Sequence, residues 1–351
     1  MSVELRREVS IERWPLARPF RTARITRTHT TVVVLRLRSG PHEGCSEHVP
    51  YERYGESPDV VARRLRGFSF HELATLDRLV TFPCDVSTLD ARLSHALAAL
   101  PSGATRACVA DAWIALQARR RGISVARLLG LPSPRPVATL QSLGADTPER
   151  MAAEARRHAR RPTLKLKASG DPVLDLARVE AVHAAAPNAR LVIDANESWT
   201  PSSYERLVPE LAVLGVVWIE QPFPAHDDVV LARLPRPIPV CADESCHVAR
   251  DVTTLRGRYD AINVKLGKAG GLVGALATIE AARRVGMRVM VGCMVSTSLA
   301  LAPAVIAAQR ADLVDLDGAS FLARDRVGAG AMRGAWIAPA PETVWSRALR
   351  E

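Results

Sequence analysis

The chain has 351 residues, 48% of them hydrophobic, and a formal net charge of +10. That is ample apolar material for a large core, but no run approaches the about 18 consecutive apolar residues of a membrane span. Its positive charge is dispersed as arginine along helix faces and aromatics make up only 5%, which argues against a nucleic-acid surface with base-stacking platforms.

In chain order, Ser2 to Pro15 mixes Glu and Arg and lacks an apolar signal core. The six cysteines are scattered, with no C-x-x-C pair, a pattern that fits a reducing cytoplasm. Val3–Trp14 and Thr31–Arg38 read as extended, the second alternating at Leu35–Arg38. Helical patterns follow near Pro58–Arg66, Phe70–Leu79 and Arg106–Arg120. Residues 1–120 therefore read as a small α+β domain. A Pro-rich link, Leu131–Pro136, leads into a second pattern. Short apolar runs recur at Val137–Leu140, Leu164–Lys167, Leu191–Asp194, Val216–Glu220, Ile238–Asp243, Ala261–Lys265, Met287–Gly292 and Leu313–Asp317. Their spacing of roughly 20 to 30 residues is that of successive βα units. Amphipathic stretches such as Glu149–Arg160, Val173–Ala185 and Gly271–Arg284 lie between them. Eight such units predict an α/β barrel over residues 121–318. The alternative, an open doubly wound sheet, lacks a G-x-G-x-x-G after its first strand. Residues 319–351 hold no further βα unit and are predicted to return toward the first domain.

Only four of the 47 basic residues are lysines: Lys165, Lys167, Lys265 and Lys268. A guanidinium cannot give up its proton in a protein, whereas an ammonium can, so sparing use of Lys suggests proton transfer. Lys167 falls on the second predicted strand and Lys265 on the sixth, opposite each other in an eight-stranded barrel. Asp194, Glu220 and Asp243 end the three strands between. One such Asp alone reads as a helix N-cap. Three carboxylates from consecutive strands, without His or Cys, suit a hard cation, Mg²⁺ first. An amine on each side of a metal-bound carboxylate suits removal of an α-proton from one face and return to the other. The metal would stabilise the enediolate formed between the two steps. Lys165, beside Lys167, should lower that base's pKa. Lys268, past the strand end, reads as structural or as a support behind the site.

K-x-K at Lys165, D-A-N-E-S-W at Asp194, I-E-Q-P at Glu220, C-A-D-E-S at Asp243 and N-V-K-L-G-K-A-G-G at Lys265 together resemble the enolase superfamily, specifically its muconate-lactonizing subgroup. The resemblance covers essentially the whole chain. It implies a modified (β/α)₇β barrel with an N-terminal α+β capping domain and one Mg²⁺ per subunit. Within the subgroup the chain looks most like the L-Ala-D/L-Glu epimerases, which invert the C-terminal residue of a dipeptide and serve murein peptide turnover. D-L-D-G at Asp315–Gly318 resembles the D-x-D motif that holds the dipeptide ammonium. V-P-Y-E-R-Y-G-E-S at Val49–Ser57 resembles the epimerases' capping loop. Arg24 falls where the family reads an acidic side chain. Thr139, Cys293 and Met294 complete the expected substrate wall. Ser296 replaces a Glu of many relatives, which leaves side-chain specificity open. The resemblance thus implies Lys167 and Lys265 as acid/base groups, Lys165 as electrostatic helper, and a small dipeptide rather than a nucleic acid or membrane as partner, with a homo-oligomer left open. The alternatives are a dipeptide epimerase of other specificity, an N-acylamino acid racemase, a cycloisomerase or an o-succinylbenzoate synthase.

Overall fold

A computed structural model of the protein describes residues 5–326 and 332–340; the side chains at 78 and 79 lie outside that description, as does the rest of the C-terminal segment. Three antiparallel strands open the chain: β1 (Arg6–Arg21), β2 (Thr26–Ser39) and β3 (His42–His48). Val32, Val33, Val34, Leu35 and Leu37 of β2 are all buried. β3, the central run of which is Gly44-Cys45-Ser46-Glu47-His48, is buried despite its polarity. It packs on the helix Ala104–Arg120 so closely that a Cβ on Gly44 would sit 2.3 Å from the Ala112 carbonyl oxygen. Ser46, Glu47 and His48 survive burial because each is bonded, to the Cys108 carbonyl, to Arg326 and to Asp111. β3 and the helix Val86–Ala96 are additions to the elements expected from sequence.

The barrel strands are β5 (Gln141–Leu143), β6 (Thr163–Lys167), β7 (Arg190–Asp194), β8 (Val216–Glu220), β9 (Val240–Ala242), β10 (Ala261–Lys265), β11 (Arg288–Gly292) and β12 (Leu313–Asp315), all parallel and adjacent in chain order. The sheet closes where Leu140 N donates to Val314 O at 3.0 Å and Leu316 N to Thr139 Oγ1 at 2.8 Å. The first barrel strand thus begins after the expected run. Val137–Ala138 is β4 instead, joined by β14 (Trp336–Ile337) and β13 (Met332–Arg333) in a separate three-stranded sheet.

Side chains alternate along a strand, and that period builds the interior. Val192, Trp218, Cys241, Ala261, Met290 and Leu313 form a buried apolar cluster that closes the barrel floor. Two residues further along each strand stand Asp194, Glu220, Asp243, Asn263, Gly292 and Asp315. The floor is dry; the layer above it is polar. A Cβ at Gly292 would lie 2.4 Å from Asn263 Oδ1, so any larger residue there would have to push the Asn263 side chain aside.

The segment after Asp317 runs back to the first sheet. Leu322 bridges Leu16, and Ala323 N donates to Pro15 O. Arg326, its side chain only 1% exposed, donates to Glu47 Oε2 at 2.7 Å, Glu12 Oε2 at 2.6 Å and Thr297 Oγ1 at 2.8 Å. One guanidinium thereby ties the antiparallel sheet to the loop after β11. Removing one partner of a buried ion pair strands the other charge. Arg326→Ala should therefore lower the unfolding free energy by about 3 kcal/mol or more, read by urea titration. Arg36→Ala, facing the exposed Glu8, should change it by less than about 1 kcal/mol. Equal effects would contradict the pin.

Candidate active site

The three carboxylates and four lysines of the sequence motifs meet at the C-terminal mouth of the barrel. Register accounts for it: Lys167 pairs with Asp194 and Asp194 with Glu220 across adjacent strands, and Lys265 pairs with Gly292, itself beside Asp315. Lys165, 1% exposed, has Nζ 2.6 Å from Asp315 Oδ2, 2.7 Å from Glu220 Oε2 and 3.2 Å from Asp194 Oδ2. Lys167 Nζ bonds Asp194 Oδ2. Lys265 Nζ donates to Asp243 Oδ2 at 2.6 Å, and Lys268 Nζ to Asp243 Oδ1 at 2.6 Å. Lys167 and Lys265 keep 12% and 13% of their side chains exposed to the cavity, against 1% for Lys165. The two lysines on opposite strands are thus the ones a substrate can reach.

Burial works against the Lys265 ammonium, but Asp243 and Glu220 outweigh it and hold its pKa well above the usual lysine value. Lys165 is held up likewise, with Asp315, Glu220 and Asp194 overcoming desolvation. Burial raises Asp194, yet Lys167 and Lys165 bring it down to about 2. Asp243 is also depressed against burial, by Lys265 and Lys268. Glu220 goes the other way: burial and its neighbour Asp194 push it up, more than Lys165 pulls it down.

These groups fit a divalent cation. Asp194, Glu220 and Asp243 are fully buried or nearly so, and Asp243 adds to the repulsion on both of the others. Asn263 Nδ2 donates to Glu220 Oε1 at 2.9 Å, while Glu220 Oε2 has no hydrogen bond of proper geometry despite its short distance to Lys165. As they stand, no three acidic, His or Cys side chains among the described residues converge on one point; the lysine ammoniums lie between them. Oxygen donors with mutual repulsion are the donor set of Mg²⁺. The chain is also strained here. Asn196, Glu197 and Gln221 have φ of 46°, 65° and 35°, so the backbone turns left-handed just after Asp194 and Glu220, at about 1–3 kcal/mol each. Gln221 compensates by accepting from Asp243 N and Ser245 N at 2.9 and 3.1 Å.

The cavity above the lysines is lined by both parts of the chain, including Arg24, Arg27, Tyr51, Tyr54, Ser142, Cys293, Met294, Asp315 and Asp317. Asp317 Oδ2 accepts from Ser142 N at 2.6 Å. Its carboxyl is pushed up to about 7 by burial and Asp315, with Ser142 pulling the other way. Thr139 is displaced from its expected place on this wall. It is buried, donates to Val314 O at 3.3 Å and lines no part of the cavity. The late start of β5 is the reason: Ser142 occupies the place assigned to Thr139. Ser296 does reach the wall, its hydroxyl turned to the Met294 carbonyl at 3.1 Å. Arg24 also reaches it, but its guanidinium is engaged by Glu244 Oε1 at 2.6 Å and Glu197 Oε2 at 2.8 Å. Tyr54, from the loop that resembles a cap, packs on His247 with ring centroids 4.5 Å apart. Sequence reasoning passed over Asn263, although it lies two residues before Lys265 and so shares its face. Lys268, expected in a structural or supporting place, donates to Asp243 Oδ1.

Residues 150–327 match the family described as "Enolase C-terminal domain-like". The chain is 37% identical over 322 residues to the L-Ala-D/L-Glu epimerase of Escherichia coli (strain K12), covering 90% of this chain and 93% of that protein. It is 37% identical over 284 residues to an N-acetyl-D-glutamate racemase of Pseudoalteromonas sp, covering 81% and 85%. Among solved structures it resembles an Agrobacterium tumefaciens enolase family member with homology to dipeptide epimerases, bound to sodium and L-Ala-L-Glu (TM-score 0.87, 38% identity, 98% and 100% covered). It also resembles the dipeptide epimerase of Methylococcus capsulatus complexed with Mg and L-Arg-D-Lys (TM-score 0.82, 27% identity, 96% and 97% covered).

Asp317 supplies a test of the site's electrostatics. Its carboxyl rises from an ordinary 3.8 to about 7 on folding. A raised acid favours the folded state while protonated, so its cost appears as pH climbs from about 4 to 7 and persists above. Asp317→Asn should therefore raise the melting temperature relative to wild type at about pH 8 and raise it less at about pH 5. The same difference at both pH values would refute this placement.

Proposed function

Since the chain belongs to the enolase superfamily, we propose that it is a Mg²⁺-dependent dipeptide epimerase that inverts the C-terminal residue, with L-Ala-D/L-Glu as the first substrate. The observation that carries this reading is the pair Lys167 and Lys265, cavity-facing on opposite strands, with Asp194, Glu220 and Asp243 on the strands between them. The 37% identity to an L-Ala-D/L-Glu epimerase over nearly the whole chain supports the substrate class.

Asp194, Glu220 and Asp243 would hold the Mg²⁺. When bound, it supplies positive charge to the substrate carboxylate as the α-carbon becomes carbanionic, a contribution of about several kcal/mol. The protein's own groups do the rest. Lys167 would remove the α-proton from one face and Lys265 would deliver one to the other; in the reverse direction they exchange roles. Both need a free amine in turn. The carboxylates bonded to them, Asp194 and Asp243, are among those that would hold the Mg²⁺. Lys165, 1% exposed and within 3.2 Å of three carboxylates, would balance buried charge. Asp317, with Asp315, would receive the dipeptide's ammonium. Asp315 is already bonded to Lys165, so Asp317 is the freer of the two. The capping loop would exclude water, with Tyr54 over the mouth.

A second reading, racemisation of an N-acylglutamate, has one observation in its favour. Asp315 is neutralised by Lys165, so the paired aspartates do not demand a cation as strongly as their sequence suggests.

Two measurements check the mechanism. With Mg²⁺ in D₂O, Lys167→Ala and Lys265→Ala should each abolish epimerisation, yet each should still exchange the α-proton of one isomer, opposite in the two variants. Exchange of both isomers by either variant would end the two-base model. Separately, Mg²⁺ should raise the melting temperature of the wild-type protein, and Glu220→Gln should abolish most of that rise. A full shift in the variant would remove Glu220 from the cation site. Turnover of N-acetylglutamate with none of L-Ala-L-Glu would favour the second reading.

A further inference from the structure

Two titratable residues of the first part of the chain hold the arm that follows Lys265, and neither has a part in the proton transfers proposed above. His48 ends β3 and is 4% exposed; Asp111, within the helix Ala104–Arg120, is 1% exposed. His48 Nε2 lies 2.9 Å from Asp111 Oδ2. A carboxylate accepts, so Nε2 is the donor. The ring's other nitrogen, Nδ1, lies 3.6 Å from where a Cβ on Gly267 would stand, and His48 lines the same cavity as Lys265. The second oxygen of Asp111, Oδ1, accepts from Leu272 N at 2.6 Å. That bond caps the helix Leu272–Arg284 from outside, because its N-cap is Gly271, which has no side chain to do so. Gly271 also permits the approach, since a Cβ there would lie 2.6 Å from Asp111 Oδ1.

The arm from Lys265 to Leu272 is thus met at two points by residues outside the barrel, Gly267 by His48 and Leu272 by Asp111. From the barrel it has Lys268, which donates to Asp243 Oδ1 at 2.6 Å and to Asn263 O at 3.3 Å. The arm after Lys167 is fastened differently. Ala168 N donates to Asp194 O at 2.9 Å, and Ser169 N and Gly170 N donate to Asp175 at 2.8 and 3.1 Å. Those partners all belong to the barrel. The two proposed bases therefore stand on arms held from different places. Misplacing a reacting group by about 1 Å can cost on the order of a hundredfold in rate, so what holds one arm sets the rate on one face.

We propose that His48 and Asp111 are positioning residues for Lys265 alone, and that they hold one of the two proton-transfer faces from the first sheet and its helix. His48 buttresses the turn just past Lys265, and Asp111 fixes both His48 and the far end of the arm. The inference rests on the dipeptide-epimerase reading.

The experiment follows initial α-deuterium incorporation into L-Ala-L-Glu and L-Ala-D-Glu in D₂O, with Mg²⁺-loaded wild type, H48A, H48Q and D111A. The isomer that Lys167→Ala still exchanges is the one from which Lys265 takes the proton. H48A should slow exchange of that isomer by about tenfold to a hundredfold and of the other by less than about threefold. H48Q, whose amide can donate to Asp111, should recover part of the loss. D111A, which frees both points, should act on the same isomer at least as strongly; if it fails to fold, the His48 variants carry the test. Equal losses on both isomers, a loss confined to the Lys167 isomer, or no loss would overturn the assignment. Backbone amide exchange, read by mass spectrometry without substrate, gives a second arm. It should quicken across residues 266–272 in H48A and stay unchanged across 168–171, and an unchanged 266–272 segment would also overturn the proposal. A wild type that exchanges neither dipeptide would defeat the epimerase reading, while the amide measurement would still decide whether these two residues hold the arm.

Discussion

A buried ammonium needs counter-charges, and at the mouth of this barrel each of the four lysines is paired with an acid. Lys165 has three carboxylates within 3.2 Å, and each is shared or flanked by a further lysine or acid. Removing one member would leave a neighbour charged, unpaired and far from water, which costs about 3–5 kcal/mol. The arrangement is therefore all or nothing. It also explains the economy of lysine. Among the described residues, arginines serve the surface, long-range pins such as Arg326 and the outer wall of the cavity, where a planar, permanently charged fork is an advantage. The four lysines all line the cavity, where a compact and deprotonatable cation is needed.

The rest of the fold holds that charge layer in place. The apolar floor of Val192, Trp218, Cys241 and Met290 sets the height of the acids two residues above. The left-handed turns at Asn196, Glu197 and Gln221 stop the strands there, so each carboxylate stands at a strand end rather than continuing into a helix. Gln221 gives its side chain to the backbone of the next ligand strand, which couples Glu220 to Asp243. The first sheet and the loop after β11, pinned by Arg326, supply the walls that the barrel alone lacks.

Sequence carried the charge layer well because period two is local. Asp194, Glu220, Asp243, Lys167 and Lys265 sit at the ends of apolar runs whose pattern is complete within five residues. What was not legible depends on partners distant in the chain. β3 is buried but polar, and only its bonds to Cys108, Asp111 and Arg326 make that burial tolerable, so no hydrophobic alternation marks it. Thr139 was misplaced because Val137 and Ala138 are as strand-like as the true first barrel strand; their pairing with Trp336 and Ile337 decides the matter. That Arg24 is engaged by Glu244, 220 residues away, is a tertiary fact that no local pattern shows.

The same charge balance links burial to catalysis. The two lysines proposed as bases are each bonded to an acid proposed to hold the cation. Lys167 relies on Asp194, and Lys265 on Asp243, with Lys268 already gripping the other oxygen of Asp243. In the proposed site, Asp194 and Asp243 would be shared between these ammoniums and the cation. The two cavity-facing lysines on opposite strands thus share one arrangement, as a two-base inversion would require, while Lys165 keeps Asp315 as a partner outside the proposed metal set. A site built from arginine could balance the same buried acids, but it could not respond to their being shared.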